Sequence, residues 1–411
     1  MAASQFHPGK INVDSVIIKS TTKAADITDL FVEFAIDSSI IDPTAVGDLL
    51  LTDSTNLLAK FPIEPGNQIE VKISYQDVQK TFFMYIYNLD RMSTDDKQRF
   101  YVVKMVSKLA YQSYFKSVEG ALSGTTSEIA KGIFYENTDE KINVWEQSSG
   151  KQKLVIPRWD PIYTIKWLAG RSVWPSDNVR FRFFQDSNLQ YNFMPIEAAN
   201  VKYKEPIFSY NYNMDTTTIG PTQIPNSMAV MQSVTNVKYE PSHNLRNMVK
   251  TGAFGGVRYA PNIVQKSYEP IAVNYHENFS KERYLNSHPL IKKSEYIDAG
   301  FPMDQYDVNT SFLHNDIQGL NKISDTSNIR KSNIDNLQNL TIRVVGNQVI
   351  DIGQVILFNM SSPEPKSQTT EEVRDMRFSG KYYVTSKRDI YKRDTHDMAL
   401  GISKESLLEV L

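Results

Sequence analysis

Ser113-x-x-Lys116 sets a hydroxyl and an amine three residues apart, the nucleophile pattern of one hydrolase class. So short a pattern recurs by chance, and Ser20-Thr21-Thr22-Lys23 repeats it. The six histidines are His7, His243, His276, His288, His314 and His396. None shares the short spacing that puts two metal ligands on one helix face. Most of them read as surface or loop histidines. Asp95 and Asp96 fall in a charged turn, where solvated carboxylates are expected. Trp159, Trp167 and Trp174 could form a sugar platform, but packing in a helix core fits them better. Gly252-Ala253-Phe254-Gly255-Gly256 lacks the following Lys-Ser/Thr of a phosphate loop and reads as a flexible turn. The chain has no cysteine, which excludes disulfides, thiolate metal sites and cysteine nucleophiles. No catalytic, cofactor-binding or metal-binding residue is expected.

The bulk numbers agree with a scaffold. A chain of 411 residues holds about two to four domains. Hydrophobic residues make up 41%, enough for a real core. The net charge of −2 gives no bulk basic field for nucleic acid. No run of about 18 apolar residues offers a membrane span, and the start MAASQFHPGK shows no secretory signal.

Strands must carry most of this chain. Ile11 to Ile18 and Phe31 to Ile36 read as strands, with Ser20 to Thr28 a polar connection. Leu49 to Leu51 is a short apolar run, and Asp53 reads as the cap of a brief helix through Leu57, Leu58 and Phe61. Pro65-Gly66-Asn67 is a turn, after which Ile69, Val71 and Ile73 alternate with Glu70 and Lys72. Phe82, Met84 and Ile86 face one way; Phe83, Tyr85 and Tyr87 face the other. A strand apolar on both faces needs two covers, a core and a second domain or subunit. Thr125-x-x-Glu128 is a capping box, and Asp160-Pro161 is a strong helix start. Val179 to Phe193 reads as a hairpin turning at Gln185 to Asn188.

A weaker copy of the opening pattern closes the chain, from Asp351 to Lys404. Gly353 stands for Gly66, and Tyr382 to Val384 stand for Phe82 to Met84. The fold class is therefore mainly β with α+β insertions: two β-barrel domains plus an α+β domain. The expected domains are 1–108 (first barrel), 109–204 (inserted α+β), and 205–262 with 336–404 (second barrel). Residues 263–335 are read as polar and irregular, packing on the α+β domain, and 405–411 as a C-terminal tail. The expected subunit interface is Phe83, Tyr85 and Tyr87, with Tyr382 and Val384 in the second copy. Glu33, Glu70, Lys72, Asp351 and Lys381 are read as outward strand positions of mixed charge.

The order FVEFAID … GDLLLTDSTNLLAKFPIEPGNQIEVKIS … MYIYNLDRMS resembles the opening domain of the central baseplate hub proteins of contractile-tailed bacteriophages. SEIAKGIFYEN, the WDPIYTIKWLAGRSVWPSDNVRFRFFQDSNLQYNFM helix-hairpin and DIGQVILFN … KYYVTSKRD follow in the same order as in that family. The resemblance covers most of the chain and leaves residues 263–335 without a counterpart. It implies tail-tube-like barrels and a homotrimeric, non-enzymatic ring in the virion's tail baseplate, assembled in the host cytoplasm. Such a ring adapts a sixfold tail tube to a threefold central spike. Its implied partners are the tail tube or a tube-initiator protein above and the spike below. The tape-measure protein and genomic DNA occupy the channel during DNA ejection, and inner baseplate proteins surround it. No cofactor is implied. The alternative function is a tail-associated cell-wall hydrolase.

Overall fold

The structure is a computed structural model. It describes residues 9–54, 61, 63–75, 78–94, 98–174, 179–203, 205–212, 227–239, 255–262, 266–274, 279–280, 284–289, 338–362 and 374–408.

The first β-unit contains β1 (Asn12–Lys19), β2 (Ala24–Asp26), β3 (Phe31–Ser39), β4 (Val46–Asp53), β5 (Gln68–Tyr75), β6 (Val78–Thr94) and β7 (Arg99–Val106). They run in the order β2-β1-β5-β6-β7-β4-β3, all antiparallel. Alternation decides the inside: Ile69, Val71 and Ile73 meet Phe82, Met84 and Ile86 in one core. Gly66 takes a φ of 94° in the turn before β5, and a Cβ there would sit 2.7 Å from the Tyr111 hydroxyl oxygen. One expectation changes. The Ser20–Thr28 connection contains β2, because Ser20 Oγ accepts from the Lys23 amide at 3.1 Å and turns the chain back onto β1. Asp53 ends β4 and accepts from the Tyr101 hydroxyl at 3.0 Å. The helix expected over residues 57–61 lies outside the described residues, apart from Phe61, which is buried in the first core.

A mixed unit follows: α1 (Lys108–Ser113), β8 (Val118–Thr125), α2 (Thr126–Asn137), β9 (Ile142–Val144), β10 (Lys151–Trp159), α3 (Pro161–Ala169), β11 (Val173–Trp174), β12 (Val179–Gln185), β13 (Tyr191–Pro195) and α4 (Ala198–Lys202). The capping box forms as the sequence predicts: Glu128 N donates to Thr125 Oγ1 at 3.3 Å, and Thr125 N to Glu128 Oε2 at 2.9 Å. Asp160 accepts from Tyr163 N at 2.8 Å, with Pro161 opening α3. Phe183 faces Phe193 across the β12–β13 hairpin, and β9 adds in parallel.

The remaining elements are β14 (Ser209–Tyr212), α5 (Ser227–Gln232), β15 (Val234–Tyr239), β16 (Gly255–Asn262), β17 (Ser267–Asn274), β18 (His288–Pro289), β19 (Gln338–Val345), β20 (Val355–Met360), β21 (Gly380–Tyr391), β22 (His396–Lys404) and β23 (Ser406–Leu407). Gly255 and Gly256 belong to a strand, not a flexible turn, since β16 pairs β17 from Gly255↔Asn274 to Asn262↔Ser267. The C-terminal tail is also built in: Leu407 is buried and pairs with His288.

The second β-unit has the order β15-β19-β22-β21-β20-β14, and the first has β3-β4-β7-β6-β5-β1. The two orders match strand for strand. Gly66 N donates to Ile86 O at 2.8 Å and Gly353 N to Val384 O at 2.9 Å, each donor itself a left-handed glycine. Each copy then skips a residue, between Ile86 and Asn88 and between Val384 and Ser386, and β6 skips a second, between Leu89 and Arg91, that β21 lacks. The skip recurs after Phe31 in β3 and after Val234 in β15. The copies differ at one end, where β1 is antiparallel to β5 but β14 is parallel to β20.

Glycine tests this packing. A Cβ on Gly346 would lie 2.1 Å from His396 Nδ1, whereas one on Gly132 of α2 meets nothing within 4 Å. Gly346→Ala is expected to destabilise by about 3 kcal/mol through overpacking. Gly132→Ala is expected to stabilise by about 1 kcal/mol as a helix-interior glycine. Urea unfolding of the two variants checks both signs.

Candidate assembly interface

β21 changes partner half-way along. Gly380 to Tyr383 pair with β20, and Ser386 to Tyr391 pair with β3 of the first unit, from Ser39 to Phe34. One sheet of thirteen strands thus runs through both units. At the joint, Arg388 donates to Asp37 at 2.7 Å, and Asp48 lies 3.8 Å from Arg388 and 3.2 Å from Lys104. Both members of the Arg388–Asp37 pair are 41% exposed, so its energetic weight is small.

Beneath it lies a buried ionic chain. Asp389 forms an ion pair with Lys387 at 3.1 Å and contacts His396 Nε2 at 2.7 Å, with all three side chains at most 2% exposed. Lys387 also donates to Ser187 Oγ at 3.0 Å, and Ser187 donates to Asp351 at 3.1 Å. Tyr75 of the first unit reaches His396 Nδ1 at 3.4 Å. The chain therefore touches both β-units and the β12–β13 turn. Burial alone would raise the Asp389 carboxyl, but the Lys387 charge and the His396 hydrogen bond outweigh it and hold it below 3.8. Nearby Asp186 goes the other way, pushed up to about 6 by burial and then by the Asp351 charge.

The five residues expected at a subunit interface separate. Phe83 is 48% exposed and stands on the outer face of β6. Tyr85 is half-buried, stacked on Tyr111 at 5.5 Å, and Tyr111 in turn meets Phe115, which is 75% exposed. Tyr87 is half-buried against the core of the mixed unit. Tyr382 and Val384 are not on any surface: both are fully buried in the second core. The ladders align Tyr382 with Met84 and Val384 with Ile86, the inward parity of the strand. The outward residue between them, Tyr383, is covered by Phe184 and Met194 of the mixed unit. Phe83, Tyr85, Tyr111 and Phe115 thus form the exposed aromatic ridge, a grouping visible only once α1 is placed beside β6.

No protein-family model matches the chain. No curated protein matches it either. Solved structures do. The tail protein from Neisseria meningitidis MC58 superposes with a TM-score of 0.58 at 11% identity, covering 95% of this chain and 96% of that one. The 43 kDa tail protein of prophage MuSo2 from Shewanella oneidensis gives 0.53 at 10% identity, covering 95% and 98%. This chain has the fold of prophage tail proteins. At such low identity the likeness is one of architecture, and it extends over nearly the full length of both partners.

Within this tail-protein fold the chemistry-bearing residues are dispersed. Ser113 is buried and donates to the Ala110 carbonyl at 3.2 Å, while Lys116 donates to the Asn137 carbonyl at 2.7 Å. Two triplets that accompany Ser-x-x-Lys in penicillin-recognising hydrolases occur in the sequence, Ser176-Asp177-Asn178 and Lys250-Thr251-Gly252. Both lie outside the described residues, as do Asp95 and Asp96. Trp159 meets Trp167 edge-on at 69°, and Trp174 is buried in the core, so no flat sugar platform forms. His396 is an exception to the surface or loop placement read for most of the histidines. Its parity with Met398, Leu400 and Ile402 was the signal that it points inward. Glu70 and Asp351 are likewise buried rather than outward. Glu70 pairs with Lys19 and with Lys72 at 3.0 Å, and Asp351 accepts from the Ser187 amide at 3.1 Å.

Removing one partner of the buried chain leaves the others uncompensated. Asp389→Asn is expected to cost about 3–5 kcal/mol at neutral pH. The folded carboxyl titrates below its unfolded value of 3.8, so its contribution is full above about pH 4 and lost as pH falls through the folded value. Chemical unfolding from pH 7 to pH 2 should show the wild type converging on the variant in acid.

Proposed function

We propose that the chain is the central hub of a phage tail baseplate. It is a non-enzymatic homotrimeric ring that adapts a sixfold tail tube to a threefold spike. The observation that carries this reading is the same six-strand order written twice in one chain and joined edge to edge. Three chains then present six like units, the economical route from threefold to sixfold symmetry. The fold shared with prophage tail proteins supports a place in the virion tail. In that setting the tail tube or a tube-initiator protein stacks above, the spike attaches below, and inner baseplate proteins surround the ring. The tape-measure protein and ejected DNA pass through its channel. Non-enzymatic function is supported by the engagement of Ser113 and Lys116 with separate carbonyls.

Native mass spectrometry should show three times the chain mass of 47.0 kDa. Phe83→Glu should yield a monomer that melts as the wild type does, because Phe83 is exposed in the single chain. A stable trimer of that variant removes the aromatic ridge from the interface. Tyr382→Glu, by contrast, should unfold the chain, since it buries a charge in the second core.

The alternative, a tail-associated cell-wall hydrolase, predicts cleavage of peptidoglycan by the purified protein, and its Ser-x-x-Lys form further predicts a reactive Ser113. Incubation with a fluorescent penicillin should leave the protein unlabelled. A labelled band that disappears in Ser113→Ala overturns the non-enzymatic reading.

A further inference from the structure

The joint inside the chain is used once, although the repeat supplies its parts twice. β3 pairs with the second half of β21, setting Phe34 opposite Tyr391, Ala35 opposite Ile390 and Ile36 opposite Asp389. The counterpart of β3 is β15: Phe31↔Leu51 in the first unit matches Val234↔Val344 in the second, with the same skipped residue after each. The counterpart of β21 is β6: Asp389↔Met398 matches Met92↔Tyr101. β15 ends the thirteen-stranded sheet among the described residues. On β6, strand β5 stops at Tyr85, and no described strand continues along that edge past Asn88. This is the edge on which β3 sits in the second unit.

We infer that β15 of one copy pairs antiparallel with the second half of β6 of the next copy. The register sets Val237 opposite Thr94, Lys238 opposite Ser93 and Tyr239 opposite Met92. The inference rests on the ring reading for the number of copies, but the pairing itself follows from the internal repeat. The occupant is a second copy because the chain already carries one worked example of the contact. There, the counterpart strands meet edge to edge, although β6 carries a second skipped residue, between Leu89 and Arg91, that β21 lacks. Such a contact is head-to-tail, so repeating it closes a ring or runs on.

The absence of native cysteine makes a cross-linking test clean. Facing residues of an antiparallel pair have Cα atoms about 4.5–5.5 Å apart, within disulfide reach. Lys238→Cys combined with Ser93→Cys should give, on mild oxidation, a covalent species of three chains that reverts to one chain on reduction. Lys238→Cys with Arg91→Cys, two residues out of register, should cross-link far less. If the first double variant fails to fold, Val237→Cys with Thr94→Cys replaces it. Native mass spectrometry on the same samples separates the two ideas. A trimer without a disulfide overturns this pairing and leaves the ring standing. A disulfide ladder running past three chains supports the pairing and overturns the closed ring. A monomer at every concentration overturns both.

Discussion

The architecture turns on the buried contact among Lys387, Asp389 and His396. β21 must bond to β20 with one half and to β3 with the other, and the change of partner comes at the skip before Ser386. Buried ion pairs are weak sources of stability, since desolvation offsets most of the attraction. Their leverage is on alternatives. If β21 slid by one residue, Lys387 and Asp389 would point to the other face and every apolar neighbour would move with them. Arg388, half-exposed in the observed register, would then be turned inward, and His396 would lose its carboxylate partner. The contact therefore fixes the register of the strand on which both β-units and the β12–β13 turn converge.

This constraint explains why parts of the fold were legible and others were not. Local chemistry read through well: the capping box at Thr125, the Asp160-Pro161 helix start and the turn glycines Gly66 and Gly353 all depend on neighbours in sequence. The first unit's alternation was also readable, because Phe82, Met84 and Ile86 face a core while Phe83 remains exposed. Periodicity separates two faces of a strand but does not say which is inside. In β21 that ambiguity mattered, since Tyr382, Tyr383 and Val384 are all buried, the middle one under the mixed unit. Glu70, Asp351 and His396 failed for a related reason. Their partners, Lys19, Ser187 and Asp389, are set by strand pairing and by loop placement, and a charge reads as exposed until its partner is known.

The second copy looked weaker in sequence because its surroundings differ. In β5 of the first unit Ile69, Val71 and Ile73 alternate with Glu70 and Lys72, so the pattern is plain. The second unit is covered by β12, β13 and the Leu285 segment, so both faces of β21 are apolar and the alternation fades. What persists are the backbone signals: the left-handed glycine, the skipped residue on β6 and β21, and the skipped residue on β3 and β15. Bulges are set by backbone geometry and set the local twist of a sheet. Their persistence where side chains have diverged indicates that the curvature of the unit is the property held in common.

The copies part at β1 and β14, where the same position in the sheet is filled by strands of opposite direction. Antiparallel neighbours can be joined by a tight turn, whereas a parallel neighbour needs a longer crossover. β14 enters directly from the mixed unit, after α4, while β1 opens the described chain. The difference therefore follows from connectivity: the mixed unit, inserted between the copies, delivers the chain to the second unit from the other end. Any six-unit ring built from this chain keeps six like sheets on one path but only three inserted units. Threefold symmetry then resides in the insertion and in the β14 edge, and the approximate sixfold symmetry in the five strands that both copies pair alike.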